Sequence, residues 1–145
     1  MSIKVGINGF GRIGRCTLSH IVSSGRNDID VVAINATGPL ETAAHLLKYD
    51  SVHGTFAGEI AVDGDNLEVN GKKIRILQQR DPAQLPWKDL GADYVLECTG
   101  LFTHSDKAKG HLDAGAKKVI ISAPGQEVDN TVVFGVNDDT LKASD

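Results

Sequence analysis

The sequence predicts an α/β fold in which helices wind both faces of a mostly parallel sheet, with an antiparallel hairpin excursion around residues 55–79. Three observations carry this expectation. Short apolar runs of strand length alternate with stretches whose apolar residues recur at helical spacing, the pattern of strand–helix–strand units. One central stretch instead alternates apolar and polar residues and carries the turn sequences "DGDN" and "NG". The junction between the first strand and the first helix is rich in glycine. The length, 145 residues, fits one domain spanning residues 1–145.

Each element has its own justification. Ile3–Asn8 is a mostly apolar run that stops at glycine, a buried strand. A helix follows over residues 11–25, with Ile13, Cys16 or Thr17, Leu18, Ile21 and Val22 along one stripe and Gly25 at its end. Asp28–Asn35 reads as a second buried strand. Leu40–Asp50 reads as a second helix, with Pro39 suited to its first turn and Leu40, Ala43, Ala44, Leu46 and Leu47 on its apolar side. Thr55–Gln79 is the hairpin excursion, kept within the same domain. Asp81–Trp87 is a short helical turn opened by proline. Ala92–Gly100 is another buried strand, and His104–Gly115 a helix with Ala108 and Leu112 at helical spacing. Lys117–Pro124 and Asn130–Val136 complete the expected strands.

Composition narrows the function. Hydrophobic residues make up 41% and charged residues 23%, as in soluble globular proteins. The net charge of -4, from 15 basic and 19 acidic residues, argues against a nucleic-acid or polybasic membrane binder. No apolar run reaches membrane-spanning length and no export signal opens the chain, so a cytoplasmic location is expected. Cys16 and Cys98 are far apart with no CxxC, and the five histidines show no HxxxH spacing, so neither a disulfide framework nor a metal site is expected.

In a parallel sheet ligands bind beyond the carboxyl ends of the strands. Those ends carry "NGFGRIG", "NATG", "CTGLF" and "SAPG". Within the first, Gly9, Gly11 and Gly14 match G-x-G-x-x-G directly after a strand and at the start of a helix, the context that gives the fingerprint meaning. Gly9 permits a tight turn, Gly11 lets the backbone approach a pyrophosphate, and Gly14 lets the helix pack closely on the strand. The helix N-terminus offers free N–H groups and a positive dipole end. The plainer alternative is a strand-to-helix turn whose glycines serve packing alone. Arg12 stands near the expected phosphates; Arg12 and Arg15 are otherwise solvated helix charges. The fold expected is thus a Rossmann-type dinucleotide-binding fold.

Five ordered segments, "INGFGRIGR", "HLLKYDSVHG", "RDP" with "LPW", "CTGLFT" and "AGAKKVIISAP", together resemble the N-terminal cofactor domain of the phosphorylating glyceraldehyde-3-phosphate dehydrogenases. The resemblance runs from about Lys4 to the last residues. It implies the glycolytic or gluconeogenic oxidation of glyceraldehyde 3-phosphate to 1,3-bisphosphoglycerate by NAD or NADP through a cysteine thioester, in a homotetramer. The family's catalytic cysteine lies in a "SNASCTTN"-like segment that residues 1–145 do not contain, and its histidine base is likewise absent. No catalytic residue is therefore assigned here, and this stretch by itself is expected to be inactive. Erythrose-4-phosphate dehydrogenase and a stand-alone nucleotide-binding module are the alternative readings.

The same resemblance implies site residues one at a time. Asn8, Gly9, Phe10, Gly11, Arg12 and Ile13 match the pyrophosphate loop, with the backbone of Arg12 and Ile13 facing the phosphates. Arg80 matches a residue reaching toward the adenine side, its alternative being a surface salt bridge. Cys98, Thr99 and Gly100 match the nicotinamide-ribose side, where the family usually has serine in place of Cys98. Ser122 matches a residue near the nicotinamide end. Lys48–Gly54 is assigned to structure and subunit contact. Cys16 is expected to be a buried, inert thiol, and His104 a cap at a helix start.

Asn35, Ala36 and Thr37 occupy the position where an acidic residue usually meets the adenosine ribose. NAD-specific members carry Asp directly after the Asn; here Ala36 removes both the ribose hydrogen bond and the repulsion of a 2'-phosphate. Use of both NAD and NADP is the expectation, with Thr37 and Arg80 as candidate phosphate contacts. The alternative is an NAD protein that recognises the ribose through backbone groups and Asn35.

Overall fold

Strand β1, Ile3–Asn8, is packed on both faces in a computed structural model that describes residues 1–145. Val5 and Ile7 join one apolar cluster, while Gly6 points the other way, where an added Cβ would lie 2.4 Å from the ring of Trp87. Around β1 runs a seven-stranded sheet. Strands β2 (Ile29–Asn35), β7 (Lys72–Leu77), β8 (Tyr94–Glu97) and β9 (Lys118–Ile121) are parallel to it in the order β7-β2-β1-β8-β9. Strands β5 (Ile60–Asp63) and β6 (Asn66–Val69) extend the β7 edge as an antiparallel meander, the hairpin excursion expected from the alternation. Its second turn is Asn70–Gly71, both with positive φ (51° and 80°), which is why an Asn-Gly pair stands there.

Helix α1 (Arg12–Ser23) buries Gly14 and Leu18 and packs Ile21 and Val22 on the core, but Ile13, expected on that stripe, is 50% exposed. Helix α2 (Leu40–Lys48) ends two residues earlier than expected. Tyr49–Asp50 becomes strand β3, which pairs with β4 (Gly54–Thr55) as a separate small hairpin. Of its expected apolar face, Leu47 is buried and Leu46 is exposed. The turn at Asp81 is a 3₁₀ turn, Pro82–Gln84, capped by the Asp81 carboxylate accepting from the Ala83 amide; a short helix α3 (Trp87–Leu90) follows. Helix α4 (Ser105–Asp113) starts at a His104 cap, as expected, but buries Ala108 and His111 and leaves Leu112 exposed.

Two further expectations are corrected. The strand read over 92–100 ends at Glu97, so Cys98–Gly100 form a loop. Asn130–Val136 is not a strand. Val133, Phe134 and Val136 are exposed, and the segment closes on itself: Asn137 Oδ1 accepts from the Val133 amide and Asp138 Oδ1 from the Gly135 amide. Short polar side chains here compete with a sheet ladder and win. No helix is long and apolar enough to cross a membrane.

Candidate functional site

Strand β2 lies on one side of β1 and β8 on the other, so the winding of the chain reverses between β1 and β8. At such a point the loops leaving adjacent strands diverge and leave a crevice. A cleft of about 570 Å³ lies there, over the carboxyl ends of β1, β2 and β8.

The glycine loop shapes its floor. Gly9 has φ +98°, and an added Cβ would press within 2.9 Å of the Thr99 backbone nitrogen. A Cβ on Gly14 would sit 2.2 Å from the Gly9 carbonyl oxygen, so the helix approaches the loop as closely as glycine allows. A Cβ on Gly11 meets nothing within 4 Å; its side opens to free space. Gly11 is also the cap of α1 and supplies no side-chain bond, and no acidic residue stands in the first turn, so that turn's N–H groups face outward without a side-chain acceptor.

The sequence-selected residues divide into two groups. Asn8, Gly9, Phe10 and Gly11 line the cleft, as do Asn35, Ala36 and Thr37, then Arg80, Cys98 and Thr99. Arg12, Ile13, Gly100 and Ser122 lie outside that lining. The Arg12 side chain turns away to bond Asp50, whose carboxyl is held far below its ordinary range by the His53 amide, Arg12 and the Val52 amide. Arg15 ties the loop by donating to the Phe10 carbonyl at 3.1 Å. Arg80 is exposed and makes no ion pair, against the surface-salt-bridge alternative, and it is the one charged side chain of the lining. No carboxylate lines the cleft. Burial pushes the Cys98 thiol up from its ordinary range, with a hydrogen bond from Ser122 opposing. Cys16, expected to be buried, is half-buried.

Beneath the cleft lies a buried polar chain that local sequence patterns do not announce. Asn35 donates one amide hydrogen to the Gln79 carbonyl (2.6 Å) and the other to Asn8 Oδ1 (2.7 Å), and accepts from the Gln79 amide. Asn8 donates in turn to Glu97 Oε1. From the other side, Trp87 Nε1 donates to His111 Nδ1 at 3.0 Å. The ring proton of His111 therefore sits on Nε2, which donates to Glu97 Oε1 at 2.9 Å. Thr99 adds its amide (2.9 Å) and hydroxyl (2.6 Å) on Glu97 Oε2.

The direction of every bond is dictated at the ends. The Gln79 backbone fixes which way Asn35 points, Asn35 fixes Asn8, and the Trp87 indole fixes the tautomer of His111. Four donors, from Asn8, His111 and the Thr99 amide and hydroxyl, converge on Glu97, 1% exposed, and only a carboxylate can accept them all. Burial alone would raise the Glu97 pKa, but the donors from His111, Thr99 and Asn8 together hold it below its ordinary value. The chain pins the ends of β1, β2 and β8 to one another. It also commits both amide hydrogens of Asn35, so that side chain offers the cleft no donor. Glu97, His111 and Trp87 were not singled out from the sequence. The legible signal was a polar residue closing each apolar run, Asn8, Asn35 and Glu97, at the same end of adjacent parallel strands.

Comparison with known proteins places the chain among named relatives. A family model described as the NAD binding domain of glyceraldehyde 3-phosphate dehydrogenase matches residues 3–105. The chromosomal glyceraldehyde-3-phosphate dehydrogenase of Cupriavidus necator is 60% identical over 147 aligned residues, covering 100% of this chain and 44% of that protein. The enzymes of that name from Xanthobacter flavus and Pseudomonas aeruginosa are 58% and 55% identical, over 97% and 99% of this chain and 42% and 43% of their own lengths. The chain thus spans less than half the length of these curated relatives.

Proposed function

The chain belongs to the glyceraldehyde 3-phosphate dehydrogenase NAD binding domain family, and from that membership we propose that its cleft binds the dinucleotide for the oxidative phosphorylation of glyceraldehyde 3-phosphate and accepts NADP as well as NAD. When bound, the dinucleotide supplies the hydride acceptor. The residues of this chain hold and orient it. The uncapped first turn of α1 meets the pyrophosphate with N–H groups and a positive dipole end, and Gly11 leaves room for the approach. Cys98, Thr99, Gly100 and Ser122 border the nicotinamide side, Arg80 and Thr37 the adenosine side. The attacking cysteine and its histidine base are assigned outside residues 1–145, so these residues alone turn over no aldehyde, and the full-length protein is assigned a homotetramer.

One observation carries the cofactor reading: the lining holds one cation, Arg80, and no carboxylate. A 2'-phosphate entering beside Ala36 meets no like charge, and Arg80 attracts it. Recognition of an unphosphorylated ribose through the Asn35 amide is disfavoured, because both amide hydrogens are already spent. The test is calorimetric titration of NAD and NADP into the wild-type chain and Ala36→Asp. A carboxylate about 5 Å from a phosphate costs roughly 3 kcal/mol per charge at an effective dielectric of 20. Ala36→Asp should therefore weaken NADP relative to NAD by more than about tenfold. Equal changes for the two would refute the reading.

A further inference from the structure

A second cleft, of about 450 Å³, lies between α1, the end of α2 and the β3–β4 hairpin. The dinucleotide reading makes no use of it. Cys16 enters it from the middle of α1, Asp50 from the end of β3, and His53 from the turn that follows. The thiol sulfur, a carboxylate oxygen and an imidazole nitrogen lie within 4.8 Å of one another. None of the three lines the dinucleotide cleft.

We propose that Cys16, Asp50 and His53 form a binding site for a zinc-class divalent transition metal. The donor set sets the class. Thiolate and imidazole select borderline metals such as zinc, whereas magnesium and calcium take oxygen ligands. Three protein ligands with one position open to solvent is a coordination that zinc accepts, and the cleft supplies the open side. Tetrahedral zinc places its ligand atoms about 3.3–3.6 Å apart, so from separations within 4.8 Å the three side chains close by at most about 1.5 Å. His20 stands one helical turn after Cys16, on the same face of α1, and lines the same cleft beside the open position.

The turn is organised by the ligand itself. Asp50 Oδ1 accepts from the Val52 amide (2.8 Å) and the His53 amide (2.9 Å), which fixes the carboxylate and places His53 beside it. Oδ2 is held by Arg12, whose side chain is 45% exposed. The metal takes Oδ2 in place of that guanidinium. Binding forms a metal–sulfur bond and releases the Cys16 thiol proton to solvent, with no change of oxidation state. Sequence spacing hides the set because its members come from separate elements, so no motif joins them.

Cobalt(II) is the probe. The purified chain, reduced with a phosphine, is titrated with cobalt chloride and followed in the near ultraviolet, where a thiolate–cobalt bond absorbs. The expected result is a charge-transfer band that saturates at one equivalent and is bleached by equimolar zinc. Cys16→Ser abolishes the band, and Cys98→Ser leaves it unchanged. His53→Ala, a change at an exposed position, weakens cobalt binding by more than about tenfold. Circular dichroism confirms that each variant is folded, and His53→Ala keeps the test valid should Cys16→Ser not fold. The proposal is overturned if no band appears, if Cys16→Ser retains it, if Cys98→Ser removes it, or if His53→Ala binds as the wild type does.

Discussion

Replacing Glu97 by glutamine changes one oxygen to an amide nitrogen and almost nothing in shape, yet the buried chain predicts a large penalty. The wild-type carboxylate accepts from Asn8 and His111 on Oε1 and from the Thr99 amide and hydroxyl on Oε2. If the glutamine oxygen takes the first place, its NH₂ group faces the Thr99 amide, and one partly buried N–H loses its acceptor. If it takes the second place, NH₂ faces both Asn8 and His111. Neither can reverse, since Gln79 and Trp87 fix their directions. The milder arrangement leaves one donor unpaired, costing about 1–3 kcal/mol, and turns two charge-assisted bonds into neutral ones at about 1 kcal/mol each. The sum, about 3–5 kcal/mol, is a large share of a typical domain's stability. Urea unfolding followed by far-ultraviolet circular dichroism at neutral pH measures it, with the denaturant slope unchanged. A loss under about 0.5 kcal/mol would refute the convergence of donors on a carboxylate.

Further outcomes follow from the same structure. Because the folded-state pKa of Glu97 is held below the ordinary value of 4.5, its stabilisation is fully present above that value and is lost as the pH falls through the lower, folded-state value. The gap between wild type and Glu97→Gln should therefore narrow in acid, as urea unfolding at successive pH values will show. Gly14→Ala drives a methyl to 2.2 Å from the Gly9 carbonyl and should destabilise by about 1–3 kcal/mol in thermal melts, despite alanine's better helix propensity. Arg80→Ala should weaken NADP more than NAD in calorimetry, because it removes the lone charge of the cleft. In a Cys16→Ser background, Cys98 should alkylate more slowly with iodoacetamide at mildly alkaline pH than glutathione does, since burial keeps it a thiol.

What the sequence disclosed, and what it hid, separates along physical lines. The strands β1, β2, β8 and β9, the hairpins β5–β7 and the glycine loop were legible because periodicity and turn chemistry are local. Positive φ at Gly9, Asn70 and Gly71 is written in the residue type itself. The apolar run at Asn130–Val136 misled because β propensity counts only where a neighbouring strand offers a ladder, and there polar side chains close local turns instead. In α4 the choice of His111 over Leu112 for the interior was invisible, because its partners, Trp87 and Glu97, come from other elements. For the same reason the lining residues could be named from the resemblance, whereas the inward commitment of Asn35 and the pairing of Arg12 with Asp50 needed the fold.

The most direct test of the account is amide chemical-shift mapping of the isotopically labelled chain during titration with NAD. The account predicts saturable shifts concentrated at Gly9–Ile13, at Ala36–Thr37 and at Cys98–Gly100, with the hairpin strands β5 and β6 unmoved. Shifts that avoid the glycine loop, or no saturable shifts at all, would contradict the assignment of this cleft to the dinucleotide.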